Sequence, residues 1–252
     1  SHGVIFRCDA SQSIGTGHVA RCKVLAHSLK RRGCRPVFFC RDHADSLHHQ
    51  ILHGEFECVT LPRRQQSVSV IEPSPYAEWL GCSQQQDASD CLSGLAELSD
   101  FHASYVVVDH YALDHAWEGC LLSALSGAKL LVIDDLADRP HAADWLVDTG
   151  RLHGWTDPAY AQLVDSKCQM LLGPRYSLLS EDYGKARERI VERTDLRRVL
   201  VFFGGVDRSN WCSLALKALS HPQLEDLQVD VVLGAGATHV QAIQKFVAHR
   251  AG

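Results

Sequence analysis

Apolar residues in this chain fall into short, nearly continuous runs, separated by longer stretches in which they recur every three or four positions. Val4 to Cys8, Pro36 to Cys40, Glu57 to Leu61, Tyr105 to Asp109 and Lys129 to Asp134 are runs of the first kind. They predict strands, and the almost wholly apolar ones predict central parallel strands covered on both faces. His18 to Arg32, with Val19, Leu25, Ala26 and Leu29 inward and Gly33 as its stop, predicts a helix, as do His43 to His53, a segment reaching about Leu98, and Leu113 to Leu125. Pro62 to Pro75 is polar and irregular, and Asp144 to Val147 and Gln169 to Leu172 predict two more short strands. Alternation of this kind predicts an α/β fold, a doubly wound Rossmann-like domain over residues 1–178.

The pattern changes after Gly173-Pro174. A charged helix, Glu181 to Arg193, leads to a strand from Arg198 to Phe203, a Gly204-Gly205 loop, a helix from Ser209 to Leu219, a strand from Val229 to Leu233 and a helix from Thr238 to His249. Residues 179–252 therefore predict a second Rossmann-like unit. Two βα units make too small a parallel sheet to cover their own core. The second domain is thus expected to be incomplete, or its edge to be covered by a neighbouring chain in a homo-oligomer.

Composition narrows the class. The 252 residues are 46% hydrophobic and 22% charged, with a net charge of -5. No basic run points to nucleic acid, and no apolar stretch approaches the roughly 18 residues of a spanning helix. A cytoplasmic protein is expected, with Ser1-His2-Gly3 read as the remnant of a purification tag. The ten cysteines contain no C-x-x-C pair and predict buried free thiols. His43, His48, His49 and His53 come nearest to a metal-ligand grouping, but Gln50 stands where a metalloprotease helix carries its glutamate, so they predict a solvated polar face and no metal.

Candidate chemistry gathers at strand ends. Asp9 to His18 joins the first strand to the first helix, at the edge where open α/β sheets bind ligands. In Gly15-Thr16-Gly17-His18 the glycines let a ligand approach the main chain, although position 20 is Ala20 and neither a dinucleotide fingerprint nor a phosphate loop is present. The same residues also suit a plain turn. His18 adds chemistry, because the dipole at a helix N-terminus disfavours the imidazolium and leaves a ring that accepts a proton, as a general base must. Asp109-His110-Tyr111 and Asp134-Asp135 end two more strands and point to the same edge, while Asp135 also suits a cap. Gly204-Gly205-Val206-Asp207 offers backbone N–H groups to a diphosphate or simply turns the chain.

These blocks, together with Phe6-Arg7-Cys8-Asp9-Ala10-Ser11, Arg21, Leu136 to His141 and Leu172 to Leu179, resemble in order the UDP-sugar hydrolases of the pseudaminic acid pathway, a family that includes spore-coat polysaccharide protein G. The resemblance runs over nearly the whole chain. It implies a GT-B architecture like that of the MurG glycosyltransferase, with two Rossmann-like domains facing across a cleft. It also implies hydrolysis of a UDP-linked diacetamido-trideoxy sugar to free sugar and UDP. His18 is then the base that activates water as the acceptor. Arg7, Asp9, Gly15, Thr16, Gly17, Arg21, Asp109, His110, Tyr111, Asp134 and Asp135 serve the sugar, Gly204, Gly205 and Asp207 serve the nucleotide, and no cofactor or metal is implied. Two departures stand out: Val147-Asp148-Thr149-Gly150 replaces a Leu-Asp-Gln-Asn-like strand end, and the Ser/Glu segment that grips uridine and ribose has no counterpart. A glycosyltransferase on the same scaffold and a non-catalytic nucleotide-sugar-binding module are the competing readings.

Overall fold

The computed structural model describes residues 2–64, 75–151, 158–234 and 236–250. Nine strands, β1 (Gly3–Cys8), β2 (Arg35–Arg41), β3 (Glu57–Leu61), β4 (Ala103–Asp109), β5 (Lys129–Ile133), β6 (Trp145–Asp148), β7 (Gln169–Leu172), β8 (Arg198–Val201) and β9 (Gln228–Val231), run through these residues. The helices are α1 (Gly17–Arg31), α2 (His48–Leu52), α3 (Ala77–Leu80), α4 (Gln84–Ala96), α5 (His115–Ala124), α6 (Glu181–Arg187), α7 (Trp211–Ala218) and α8 (Val240–Arg250). The expected α/β class holds. The chain divides into two compact units, one of Ser1–Ala10 with His18–Leu179, the other of Ser11–Gly17 with Ser180–Gly252.

The first unit carries a seven-stranded sheet in the order β3-β2-β1-β4-β5-β6-β7. Every paired neighbour is parallel. The order reverses direction between β1 and β4, so the loops after these two strands open at the switch point, where such sheets form a crevice. Ile5, Val37, Phe39, Val106, Val108, Leu130 and Val132 pack on one face against Ala88, Cys91, Trp117 and Leu121 of α4 and α5. On the other face α1 buries Val19, Cys22 and Ala26. Leu25 and Leu29, expected inward, instead border an apolar groove with Tyr105, Leu131, Trp145 and Leu171.

Two predicted helices are shorter than their patterns. In place of a helix from His43 to His53, α2 holds only five residues. Ser46 Oγ accepts from His43 N at 2.6 Å and donates to His43 O, so the side chain turns the backbone away from helical pairing. The predicted Glu181–Arg193 helix ends at Arg187 and buries none of its residues. Without an apolar face to pack, a short helix has little to hold it beyond local propensity.

The second unit pairs β8 with β9 in parallel. Val201, Cys212, Leu216 and Ile243 form its small core. Gly234 crosses Gly205 so closely that a Cβ at position 234 would overlap the Gly205 backbone.

Candidate active site

β1 and β4 bring the first candidate residues together. His18, in the first turn of α1, is 7% exposed. Its Nδ1 lies 2.6 Å from Oδ1 of Asp109, the last residue of β4. An ionised carboxylate only accepts, so Nδ1 carries the proton and the lone pair falls on Nε2, across the ring. Arg21, one turn further along α1, donates through Nε to Asp109 Oδ2 at 2.5 Å and through a terminal nitrogen to Oδ1 at 2.6 Å. Its remaining nitrogen pairs with Asp135 at 2.7 Å. Burial alone would push the Asp109 carboxyl up; the N–H of His18 and the hydrogen-bonded guanidinium of Arg21 outweigh it and hold Asp109 well below the usual carboxylate range. Asp109 thus stays ionised and fixes the imidazole.

Tyr111 closes the cluster. Its hydroxyl donates to Asp135 Oδ2 at 2.8 Å, and its ring meets His18 edge to face at 4.6 Å. Burial and Asp135 push the phenol up, which keeps the donor protonated. His18, Arg21, Asp109, Tyr111 and Asp135 therefore form one connected set, in which the Asp135 side chain is 29% and that of Arg21 24% exposed.

Other candidates lie beneath it. Arg7 and Asp9 are fully buried. Arg7 pairs with Asp9 at 2.6 Å and with Asp87 at 2.8 Å, and Asp87 also takes Arg41 at 2.6 Å and Trp117 Nε1 at 2.9 Å. This network ties β1, β2 and α4 beneath the sheet edge and leaves Arg7 and Asp9 no free face for a sugar. That corrects their expected contact role. His110 is likewise inside, its Nδ1 accepting from Ala112 N at 3.1 Å and its Nε2 lying 3.1 Å from Asp9. Asp134 is also fully buried, bound to Tyr160 at 2.9 Å, Ala137 N at 2.9 Å and Arg139 at 2.9 Å. It supports the chain turn that presents Asp135. Asp148, in the departing Val147-Asp148-Thr149-Gly150 stretch, is buried too, accepting from Tyr160, Gly150 N and Arg151 at 2.9 Å each.

In the glycine loop, Ser11 O accepts from Gly15 N at 2.8 Å and Ser11 Oγ from Ile14 N at 3.1 Å. Gly15 adopts φ 87, a conformation that needs glycine, whereas a Cβ at Gly17 would meet nothing within 4 Å. Thr16 is half-buried. In the second unit Gly204 has φ 79, but Asp207 already fills the start of α7, accepting from Trp211 N at 2.8 Å and Cys212 N at 3.0 Å. Its carboxylate thus holds two N–H groups of the first turn of α7, as a helix-capping side chain does.

Of the histidine grouping, His43 lies 3.4 Å from Asp9, His53 caps α2 in the left-handed region, and His48 is buried against His49 with ring centroids 4.2 Å apart. The expected solvated face is therefore partly an interior one. The ten cysteines are free thiols, of which Cys120 is exposed and Cys34, Cys58 and Cys168 are half-buried. Among the described residues no helix is long and apolar enough to cross a membrane.

The sequence reading missed two rings. Tyr76 and Trp79, at the start of and within α3, have centroids 5.2 and 5.8 Å from that of Tyr111. Their i, i+3 spacing was the available signal, obscured by the irregular stretch before it.

No family model matches the chain. It is 25% identical over 245 residues to a UDP-2,4-diacetamido-2,4,6-trideoxy-beta-L-altropyranose hydrolase of Campylobacter jejuni, spanning 96% of this chain and 73% of the relative. It is 22% identical over 240 residues to the spore coat polysaccharide biosynthesis protein SpsG of Bacillus subtilis, spanning 94% of this chain and 61% of the relative. Solved structures similar to it are Acinetobacter baumannii MurG, with TM-score 0.49 and 15% identity over 98% of this chain and 64% of that one, and a Siraitia grosvenorii UGT transferase in complex with UDP, with TM-score 0.47 and 11% identity over 100% and 72%.

Proposed function

With its motif blocks and both curated relatives pointing to the pseudaminic-acid UDP-sugar hydrolase family, we propose that this chain belongs to an enzyme that hydrolyses a UDP-linked diacetamido-trideoxy sugar to free sugar and UDP. The observation that carries the reading is the 2.6 Å contact between His18 Nδ1 and Asp109. A fixed imidazole with its lone pair on Nε2 is what a general base for water requires. Nε2 takes a proton from water, the water oxygen attacks the anomeric carbon, and the bond from that carbon to the diphosphate oxygen breaks with its electron pair leaving on UDP. Attack from the face opposite UDP inverts the anomeric centre.

Asp109 stays ionised in this scheme and does not receive the proton, because Arg21 holds both of its oxygens. Asp135 and Tyr111 serve the sugar's polar rim, and the Gly15 to Gly17 turn serves the approach of substrate to His18. Proton NMR of the reaction, read before mutarotation, tests this: the inverted free sugar and UDP should appear at the same rate with or without an added sugar acceptor. A glycoside of the added acceptor would replace hydrolysis with transfer.

A further inference from the structure

A buried guanidinium beside the site has no part in the chemistry assigned so far. Arg139 is 8% exposed. Its Nε donates to Leu113 O at 2.8 Å, and one terminal nitrogen lies 2.9 Å from Asp134 Oδ1 and 2.8 Å from Asp138 Oδ1. Its Cζ stands 6.0 Å from the centre of the Tyr111 ring, within reach of a cation–π contact. Tyr111 and Leu113 belong to the loop after β4, whereas Asp134 and Asp138 belong to the loop after β5. Arg139 therefore joins the two loops whose side chains meet in the 2.8 Å hydrogen bond from Tyr111 to Asp135.

Tyr111, Asp135, Asp134 and Arg139 form a closed circuit. The phenol binds one carboxylate, the chain carries that residue next to Asp134, Asp134 holds the guanidinium, and the guanidinium returns to the Tyr111 ring and the Leu113 carbonyl. One hydrogen bond to a partly exposed carboxylate is modest in net worth, so it would not by itself fix the spacing of two loops. His115 N also donates to Pro140 O at 3.0 Å, but that link joins residues farther along both loops from Tyr111 and Asp135. Burial pushes the Asp134 carboxyl up, and the charge of Arg139, foremost among the opposing effects, holds it below the usual carboxylate range. A lysine could not serve a carbonyl and two carboxylates at once, because its ammonium lacks the planar fork. We infer that Arg139 is a positioning residue for substrate binding, which holds Tyr111 and Asp135 at the spacing that receives the sugar's polar rim. What the pair receives rests on the hydrolase reading; the brace itself rests on the contacts of Arg139.

The test uses the whole chain. Arg139→Lys keeps a cation for Asp134 and loses the fork, and Arg139→Gln, which keeps a donor without the charge, is read in the same way. Each is made in wild-type and in Asp135→Ala protein and assayed where circular dichroism shows the native fold. For the UDP-linked diacetamido-trideoxy sugar, Arg139→Lys should raise KM about tenfold with kcat within about threefold, but should raise it less than about twofold in Asp135→Ala protein, where the positioned pair is already broken. A general loosening of the fold would act equally in both backgrounds. Substrate-free protein with isotope-labelled tyrosine rings gives a second readout: the Tyr111 Cζ resonance, identified by its absence in Tyr111→Phe, should move in both Arg139 variants. An unchanged KM, an equal factor in both backgrounds, or a stationary Tyr111 resonance overturns the positioning role and leaves hydrolysis standing. A Tyr111 resonance that moves with Arg139 in a protein whose wild type releases no UDP overturns the hydrolase reading and keeps the brace.

Discussion

At the scale of single residues, the site depends on which nitrogen of one ring holds the proton. Asp109 sets that by accepting from Nδ1, and Arg21 keeps Asp109 from turning away. Asp109→Asn presents an amide of similar shape that can donate where the carboxylate only accepted, so it favours the wrong tautomer. Its kcat is expected to fall on the order of 10²–10⁴-fold with KM little changed, measured by UDP release at saturating substrate. His48 makes a different kind of prediction. It is fully buried, and among the described residues neither ring nitrogen has a hydrogen-bond partner. Burial and then His49 push its pKa down to about 4, against the opposing pull of Asp9 and Asp42. The unfolded chain therefore binds a proton that the folded chain refuses; stability is full above about pH 6.5 and is lost as pH falls toward 4. Urea midpoints of His48→Leu should lack the part of the fall between pH 6.5 and 4 that wild-type protein shows; a parallel pair of curves would contradict the assignment.

At the scale of elements, the central strands could be read in the sequence because parallel strands covered on both faces are continuous apolar runs, and Val4 to Cys8 and Tyr105 to Asp109 fall within the observed β1 and β4. Helices were less legible where side chains compete for the backbone, as Ser46 does before α2. The candidate site was legible as a set of strand ends, but its layering was not. Arg7 and Asp9 stand in motif blocks beside that of His18, yet Asp87, the second partner of Arg7, lies 80 residues away, and no local pattern reveals a buried pair of that separation. The loop that leads into α1 is held by one residue in particular. Gly15→Ala forces a side chain into φ 87 and should cost about 1–2 kcal/mol by urea denaturation, whereas Gly17→Ala should leave stability unchanged. If both variants unfold at the wild-type midpoint, the loop does not need its left-handed turn.

At the scale of the whole molecule, the two units are unequal. The first buries an extensive core between its seven-stranded sheet and the α4–α5 layer, while the second rests on a two-stranded sheet and a small cluster around Cys212 and Leu216. Leu200, Phe202, Phe203, Trp211 and Leu214 of the second unit are more than 40% exposed. Local stability follows buried apolar contact, so amides of β8 and β9 should exchange hydrogen well before those of β1 and β4. Equal protection across both sheets would show that the second unit is stabilised by contacts beyond its own core.

The central claim is that His18 takes the proton from the attacking water. The most direct measurement is the rate of UDP release from the UDP-linked diacetamido-trideoxy sugar by His18→Asn beside wild-type protein, with sugar binding to both checked by NMR. The account predicts a fall on the order of 10²–10⁴-fold in turnover with binding retained; a His18→Asn protein that cleaves at the wild-type rate would contradict it.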